Sequence, residues 1–139
     1  MLIEARDLYL AGHFYSCVAM CGIVGERLVK DVVRGSVLVQ KTVHPPQRPS
    51  DAAFNQLERV ELASIVRFLR ESDLLNGEAA NAAKKLAELP NDYAHARGKT
   101  PPRDALKAIK FLHTLVEDTV SAFKDFDTIT VGTLVGCGD

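Results

Sequence analysis

Hydrophobic side chains recur every three or four residues over most of this chain, a spacing that predicts amphipathic helices. The first predicted helix covers residues 3–10, and Gly12 marks the turn that follows it. A longer second helix is predicted over residues 14–33. Its apolar stripe follows i, i+4, i+7 spacing and consists of Cys17, Cys21, Val24, Leu28 and Val32.

Two glycines lie inside the second predicted helix. Gly22 and Gly25 each cost about 1 kcal/mol of helix stability relative to alanine. A residue without a side chain allows another helix to approach closely, so we expect a helix–helix contact at these two positions.

Three further helices are predicted. The third begins at Ser50 or Asp51 and reaches about residue 75, with a stripe of Leu62, Ile65, Val66 and Leu69. The fourth covers residues 78–89 and is expected to stop at Pro90, because proline lacks an N–H and disfavours helix at the residue before it. The fifth starts after Thr100, runs to about residue 123, and has an inward seam of Ala105, Ile109, Leu112, Val116, Val120 and Phe123.

The fold class that these elements predict is an all-α, four- to five-helix, up-and-down bundle. It forms a single domain over residues 1–139, with a core over residues 3–123 and an irregular tail over residues 124–139. Residues 37–43 and 128–135 are rich in β-branched side chains and could pair as a minor two-stranded β element, while residues 44–50 form a loop.

The composition is that of an ordinary globular protein. Hydrophobic residues make up 47% and charged residues 25% of the 139, and the net charge of −1 gives no global attraction for nucleic acids. No apolar run is long enough to span a membrane, and the N-terminus lacks the pattern of a signal peptide. We therefore expect a soluble, cytoplasmic protein without membrane contact.

The break between the last two helices holds the most polar cluster of the chain. It reads "NDYAHARGK", and an Asn-x-x-Ala-His pattern falls on Asn91, Ala94 and His95. Together with "AGHFYSCVAMCGIVGERLVKDV" upstream and an amphipathic last helix, this order resembles the HEPN superfamily of prokaryotic helical domains, in a branch of unassigned function. The resemblance implies a homodimer, a place in a defence or toxin–antitoxin system, and, where the motif is intact, metal-independent ribonuclease activity without a cofactor.

The chemistry that the resemblance implies needs a histidine and an arginine. Attack of a 2′-hydroxyl on the adjacent phosphate requires an acid or base near neutral pH, and a cation for the charge on the phosphate oxygens. His95 is therefore the candidate catalytic residue. The family's arginine position falls on Glu88, Leu89 or Pro90, none of which is basic, so the motif is degenerate.

Basic residues follow His95. They include three at i, i+4, i+7 spacing, Arg103, Lys107 and Lys110, which form one face of the fifth helix near its N-terminus. The candidate phosphate-binding residues are Asn91, Arg97, Lys99, Arg103 and Lys107. The alternatives are a solvated helix face and a structural His95 that bonds to a backbone carbonyl.

Other kinds of site have weaker support in the sequence. His13, Cys17 and Cys21 share a helix face, but a tetrahedral metal site seldom takes three ligands from one helix, so we expect no metal. No phosphate-binding glycine loop or nucleophile elbow is present, and we expect no cofactor. An aromatic content of 6% without tryptophan argues against a platform that stacks the bases of single strands.

Three functional hypotheses remain. The first is a dimeric binding domain for RNA or a nucleotide phosphate, with weakened or absent catalysis. The second is a metal-independent ribonuclease in which His95 works with Arg97 or Arg103. The third is a protein–protein interaction module without nucleic-acid contact.

Overall fold

The apolar stripe of the second predicted helix lies at the centre of the fold. The computed structural model describes residues 2–36, 50–95 and 100–135, and the side chains of all of these except 122–135. Helix α2 covers Phe14–Ser36. Its buried residues are Cys17, Val18, Cys21, Val24, Gly25, Val29, Val32 and Val33. The predicted stripe is confirmed, except that Leu28 is only half-buried.

A tight turn joins α2 to the helix before it. Helix α1 covers Leu2–Leu10, and Gly12 in the turn has a φ of +78°, a backbone conformation that favours glycine. The Gly12 N–H donates to the Tyr9 carbonyl at 3.0 Å, and the His13 N–H donates to the Leu8 carbonyl at 2.9 Å. These bonds satisfy two carbonyls of the last turn of α1, and the chain reverses so that α1 packs against α2 and α6.

The helix predicted over residues 51–75 is divided in the structure. Its pieces are α3 over Asp51–Asn55, a 3-10 turn over Gln56–Arg59, and α4 over Leu62–Glu71. The predicted cap is confirmed, because the Ser50 hydroxyl accepts the Ala53 N–H at 3.3 Å.

The division has a packing reason. Val60 and Glu61 are extended, with ψ angles of 134° and 131°, so the chain bends between the two helices. The bend lets Phe54 bury its ring against the core, beneath the guanidinium of Arg34 at 5.4 Å from the ring centroid.

The prediction that the fourth helix stops at Pro90 is wrong. Helix α5 covers Gly77–Ala94 with Pro90 inside it, and the His95 N–H still donates to the Asn91 carbonyl at 3.1 Å. Pro90 cannot donate to the Leu86 carbonyl, so that helical bond is lost. The proline ring packs instead against Gly22 of α2, and this contact offsets the lost bond.

The last helix is longer than predicted. Helix α6 covers Pro101–Val135, so residues 124–135 are not an irregular tail and residues 128–135 are not a strand. Extending an existing helix costs little even for β-branched residues, because the expensive nucleation step is already complete. Residues 37–43, the other half of the predicted β element, lie outside the described residues.

The buried seam of α6 differs from the predicted one. It consists of Ala105, Ala108, Leu112, Leu115 and Thr119, whereas Ile109 and Val116 are half-buried and Val120 is 47% exposed. The side chain of Phe123 lies outside the described part. Thr119 can be buried because its hydroxyl donates to the carbonyls of Leu115 and Val116, both at 2.9 Å.

Helices α2, α5 and α6 pack on one another and form the main body of the bundle, with α4 lying against α2 and α5. The all-α bundle prediction is confirmed, and no strand occurs within residues 2–36, 50–95 and 100–135. Over the same ranges, no helix is both long and apolar enough to cross a membrane.

Asn76 fixes the start of α5: its side chain accepts the Ala79 N–H at 2.8 Å and donates to Asp118 of α6 at 2.6 Å.

The predicted close approach at the α2 glycines is confirmed, and it gives the first testable prediction. A Cβ on Gly22 would lie 2.6 Å from Pro90 Cγ and 3.2 Å from the Leu86 carbonyl oxygen. We expect Gly22→Ala to lower the free energy of unfolding by about 1–3 kcal/mol, even though alanine favours the helix. Chemical denaturation measures the change.

Gly77→Ala is the matched control, because no heavy atom lies within 4 Å of the Cβ it would add. We expect this variant to be neutral or slightly stabilised. Equal stability of the two variants would contradict close packing at Gly22.

Candidate functional site

His95 lies at the end of α5, where its backbone N–H closes the last helical turn. Its side chain is exposed and forms no hydrogen bond with any residue that the structure describes. A structural His95 would donate a hydrogen bond from its ring to a backbone carbonyl. No such bond occurs among the described residues.

The other predicted residues around His95 divide into two groups. Asn91 is exposed on the last turn of α5, and its carbonyl accepts the His95 N–H. Arg97 and Lys99 lie outside the described residues. The candidate phosphate-binding residues that the structure places are therefore Asn91, Arg103 and Lys107.

Arg103, Lys107 and Lys110 are all exposed on the first turns of α6, and we call them the basic surface. Lys107 Nζ lies 4.0 Å from Asp104 Oδ1, which partly offsets its charge. Arg103 and Lys110 have no acidic partner within the described ranges. Phosphate groups could pair with each of these two cations without breaking an existing ion pair.

The N-terminus of α6 offers less to an anion than the sequence suggested. Pro101 and Pro102 are its first two residues, and neither has an N–H to donate. The Asp104 N–H is already bonded to the Thr100 carbonyl at 2.9 Å. Of the first four residues of α6, Arg103 is the one whose backbone N–H has no partner among the described residues. The side chains of the basic surface, rather than the helix end, would therefore provide the binding energy.

A tyrosine connects the end of α5 to the start of α6. The Tyr93 hydroxyl donates to Asp104 Oδ2 at 2.7 Å. Burial and this bond to a carboxylate raise the pKa of Tyr93 above its ordinary value, so the hydroxyl keeps its proton. The contact joins the last turn of α5, two residues before His95, to the helix that carries the basic surface. Sequence reasoning missed it, because no periodicity links positions 93 and 104.

A shallow apolar groove of about 360 Å³ lies between α2 and α5. We call it the α2–α5 groove, and its lining includes Ala19, Ile23, Glu26, Leu62, Ala87 and Pro90. Ile23 is 65% exposed, which is unusual for an isoleucine in the middle of a long helix. The sequence offered one indication that Ile23 is exposed, because its position falls outside the apolar stripe of α2.

A second apolar groove, of about 390 Å³, lies between α3 and α4. We call it the α3–α4 groove, and its lining includes Val33, Phe54, Leu57, Val60, Ile65 and Phe68. Val60 and Phe68 are 41% and 53% exposed. Neither groove is lined by His95 or by the basic surface.

The cysteines of α2 are poorly suited to bind a metal. Cys17 and Cys21 are completely buried, whereas His13 is exposed at the start of the helix. Burial raises the pKa of Cys21 to about 12, and a metal needs the thiolate form. No group of three His, Cys, Asp or Glu residues suitable for a metal ion occurs in the described part of the chain.

Comparison of the chain with models of protein families, with curated proteins and with solved structures found no match. The geometry around His95, the basic surface and the two grooves therefore provides the structural basis for a functional assignment.

Proposed function

We propose that this chain is a HEPN-like helical domain that binds the phosphate groups of RNA or of a nucleotide. The observation that carries the proposal is the exposure of the His95 imidazole at the end of α5, next in the chain to the helix whose first turns expose the basic surface. On the basis of the HEPN resemblance, the proposal includes a cytoplasmic location, a homodimer and a role in a prokaryotic defence or toxin–antitoxin system.

Phosphate binding fits the charges at this position. Arg103 and Lys110 have no acidic partner among the described residues, so binding would not require an ion pair to be broken. Arginine can donate two parallel hydrogen bonds to a phosphate, and lysine supplies a point charge. Asp104 opposes an approaching anion, but its carboxylate already accepts the Tyr93 hydroxyl. We therefore expect moderate, salt-sensitive binding rather than tight binding.

The binding proposal predicts the effect of reversing two charges of the basic surface. We expect Arg103→Glu combined with Lys107→Glu to weaken association with single-stranded RNA. The variant should also reduce the slope of log affinity against log salt by about 1 to 2, because fewer counterions are released. Fluorescence anisotropy over a salt series measures both quantities.

A matched control reverses two charges elsewhere. Arg59→Glu with Arg70→Glu makes the same change in net charge, and both arginines are exposed, one in the 3-10 turn and one on α4. This control should keep the wild-type affinity and slope. Equal weakening in both double variants would point to net charge alone, and absence of binding by the wild-type chain at low salt would refute the proposal.

Dimerisation through the α2–α5 groove is the second part of the proposal. The groove presents Ile23 between small residues and Pro90, and Pro90 lies on α5 five residues before His95. A second copy that covered Ile23 would therefore bring the His95 residues of both subunits towards the dimer interface, as the HEPN resemblance implies.

The dimer predicts the effect of a charge in the groove. We expect Ile23→Glu to raise the dimer dissociation constant about tenfold or more, because it buries a carboxylate near Glu26. Sedimentation velocity over a concentration series measures the change. Leu10→Glu is the control, since Leu10 is 73% exposed on α1 outside the groove. A wild-type chain that stays monomeric at every concentration would count against the dimer.

Ribonuclease activity is the alternative that the open imidazole of His95 favours. In this alternative His95 is the acid or base, and Arg97 or Arg103 replaces the family's arginine. We expect cleavage of RNA in the presence of a chelator to fall about 100-fold or more in His95→Ala. Gel analysis of labelled RNA measures the rate of cleavage.

His113→Ala is the control for the ribonuclease test. His113 is exposed on α6, and among the described residues its ring pairs only with Glu117, at 3.1 Å. This variant should cleave RNA as fast as the wild type does. Cleavage that survives in His95→Ala would exclude the ribonuclease alternative.

The interaction-module alternative is favoured by a different observation, the exposed aromatic and aliphatic lining of the α3–α4 groove. Grooves of this kind accept apolar side chains of partner proteins. If the chain fails to bind RNA or nucleotides at low salt, this alternative becomes the better explanation.

A further inference from the structure

Tyr15 is an aromatic residue that the fold leaves open to solvent. It lies in the first turn of α2, away from the buried stripe, and is 60% exposed. The Tyr93 ring holds it in place through an edge-to-face contact, with ring centroids 4.7 Å apart and an interplanar angle of 81°. The Tyr15 ring is therefore fixed on one side and accessible on another.

The ring of Tyr15 is also connected to the basic surface. Tyr93, which contacts Tyr15, donates its hydroxyl to Asp104 at 2.7 Å, and Lys107 Nζ lies 4.0 Å from the same carboxylate. Arg103 precedes Asp104 in the chain and is exposed. The Tyr15 ring and the Lys107 ammonium are therefore linked through two side chains, Tyr93 and Asp104.

This combination suits a nucleotide better than a purely apolar ligand. An exposed aromatic ring can stack on any nucleobase, and neighbouring cations attract the phosphates of the same strand. We propose that Tyr15 stacks on a nucleobase whose phosphates are bound by the basic surface, an inference that rests on the proposed function. The low aromatic content argues against a platform for many bases, but a subsite for one base needs a single ring.

A pair of strands tests the subsite separately from phosphate binding. The first probe is a short single-stranded RNA of adenines, and the second is an abasic strand with the same number of phosphates. We expect Tyr15→Ala to lower affinity for the adenine strand about 5- to 100-fold. Affinity for the abasic strand should not change. Tyr15→Phe keeps an aromatic face and should bind both strands as the wild type does.

Two further variants guard against loss of the fold. Tyr15→Leu keeps apolar bulk but has no aromatic face, so it should lose as much affinity as Tyr15→Ala. Leu10→Ala changes an exposed apolar residue on α1 and should bind normally. Circular dichroism and thermal unfolding of each variant show whether it is folded.

Tyrosine fluorescence gives an independent readout, because the chain has three tyrosines and no tryptophan. Stacking on a base should quench the emission of the wild-type chain when the adenine strand binds. In Tyr15→Phe, binding should persist while most of the quenching disappears. Adenosine monophosphate as a second ligand distinguishes a free nucleotide from an RNA strand as the source of the base.

The possible results separate the two proposals. If both strands bind but Tyr15→Ala weakens them equally, or weakens neither, the stacking subsite is overturned while phosphate binding stands. If neither strand nor the free nucleotide binds the wild-type chain, the proposed function fails, and the subsite fails with it.

Discussion

The contact between Gly22 of α2 and the Leu86–Pro90 turn of α5 is the constraint on which the rest of the structure depends. The absence of a side chain at Gly22 lets the two helices approach until the proline ring fills the space. Pro90 then loses a helical hydrogen bond without ending α5, because the packing compensates for the loss. As a result, α5 continues for one more turn and places Tyr93 against α2 and α6, with His95 two residues further along the chain.

That extra turn determines the surroundings of His95. Tyr93 reaches Tyr15 on one side and Asp104 on the other, so three helices meet around a single side chain. If α5 ended at Pro90, Tyr93 and His95 would belong to a loop whose direction these contacts would not define. The packing of Pro90 against Gly22 therefore determines whether the residues around the candidate site have a fixed geometry.

The charges near the site are balanced rather than uniformly positive. Asp104 accepts the Tyr93 hydroxyl and lies near Lys107, so the same carboxylate that fixes the geometry also reduces the local positive potential. The net charge of the chain is −1, and long-range attraction of RNA is weak. Short-range contacts, such as stacking on an exposed ring, would then contribute a larger share of any binding energy.

The sequence by itself determined the helical class, the inward stripe of α2, the cap at Ser50 and the close approach at the α2 glycines, because these follow from local periodicity and residue size. Prediction from the sequence was wrong at Pro90, at the bend after α3 and at residues 124–135. At these positions packing or helix propagation outweighs the local conformational preference of the residues. The sequence singled out His95 and the basic residues of α6 as candidates by their residue type, but not the Tyr15–Tyr93–Asp104 contacts between α2, α5 and α6. Those contacts join residues far apart in the chain, and only the tertiary structure could bring them together.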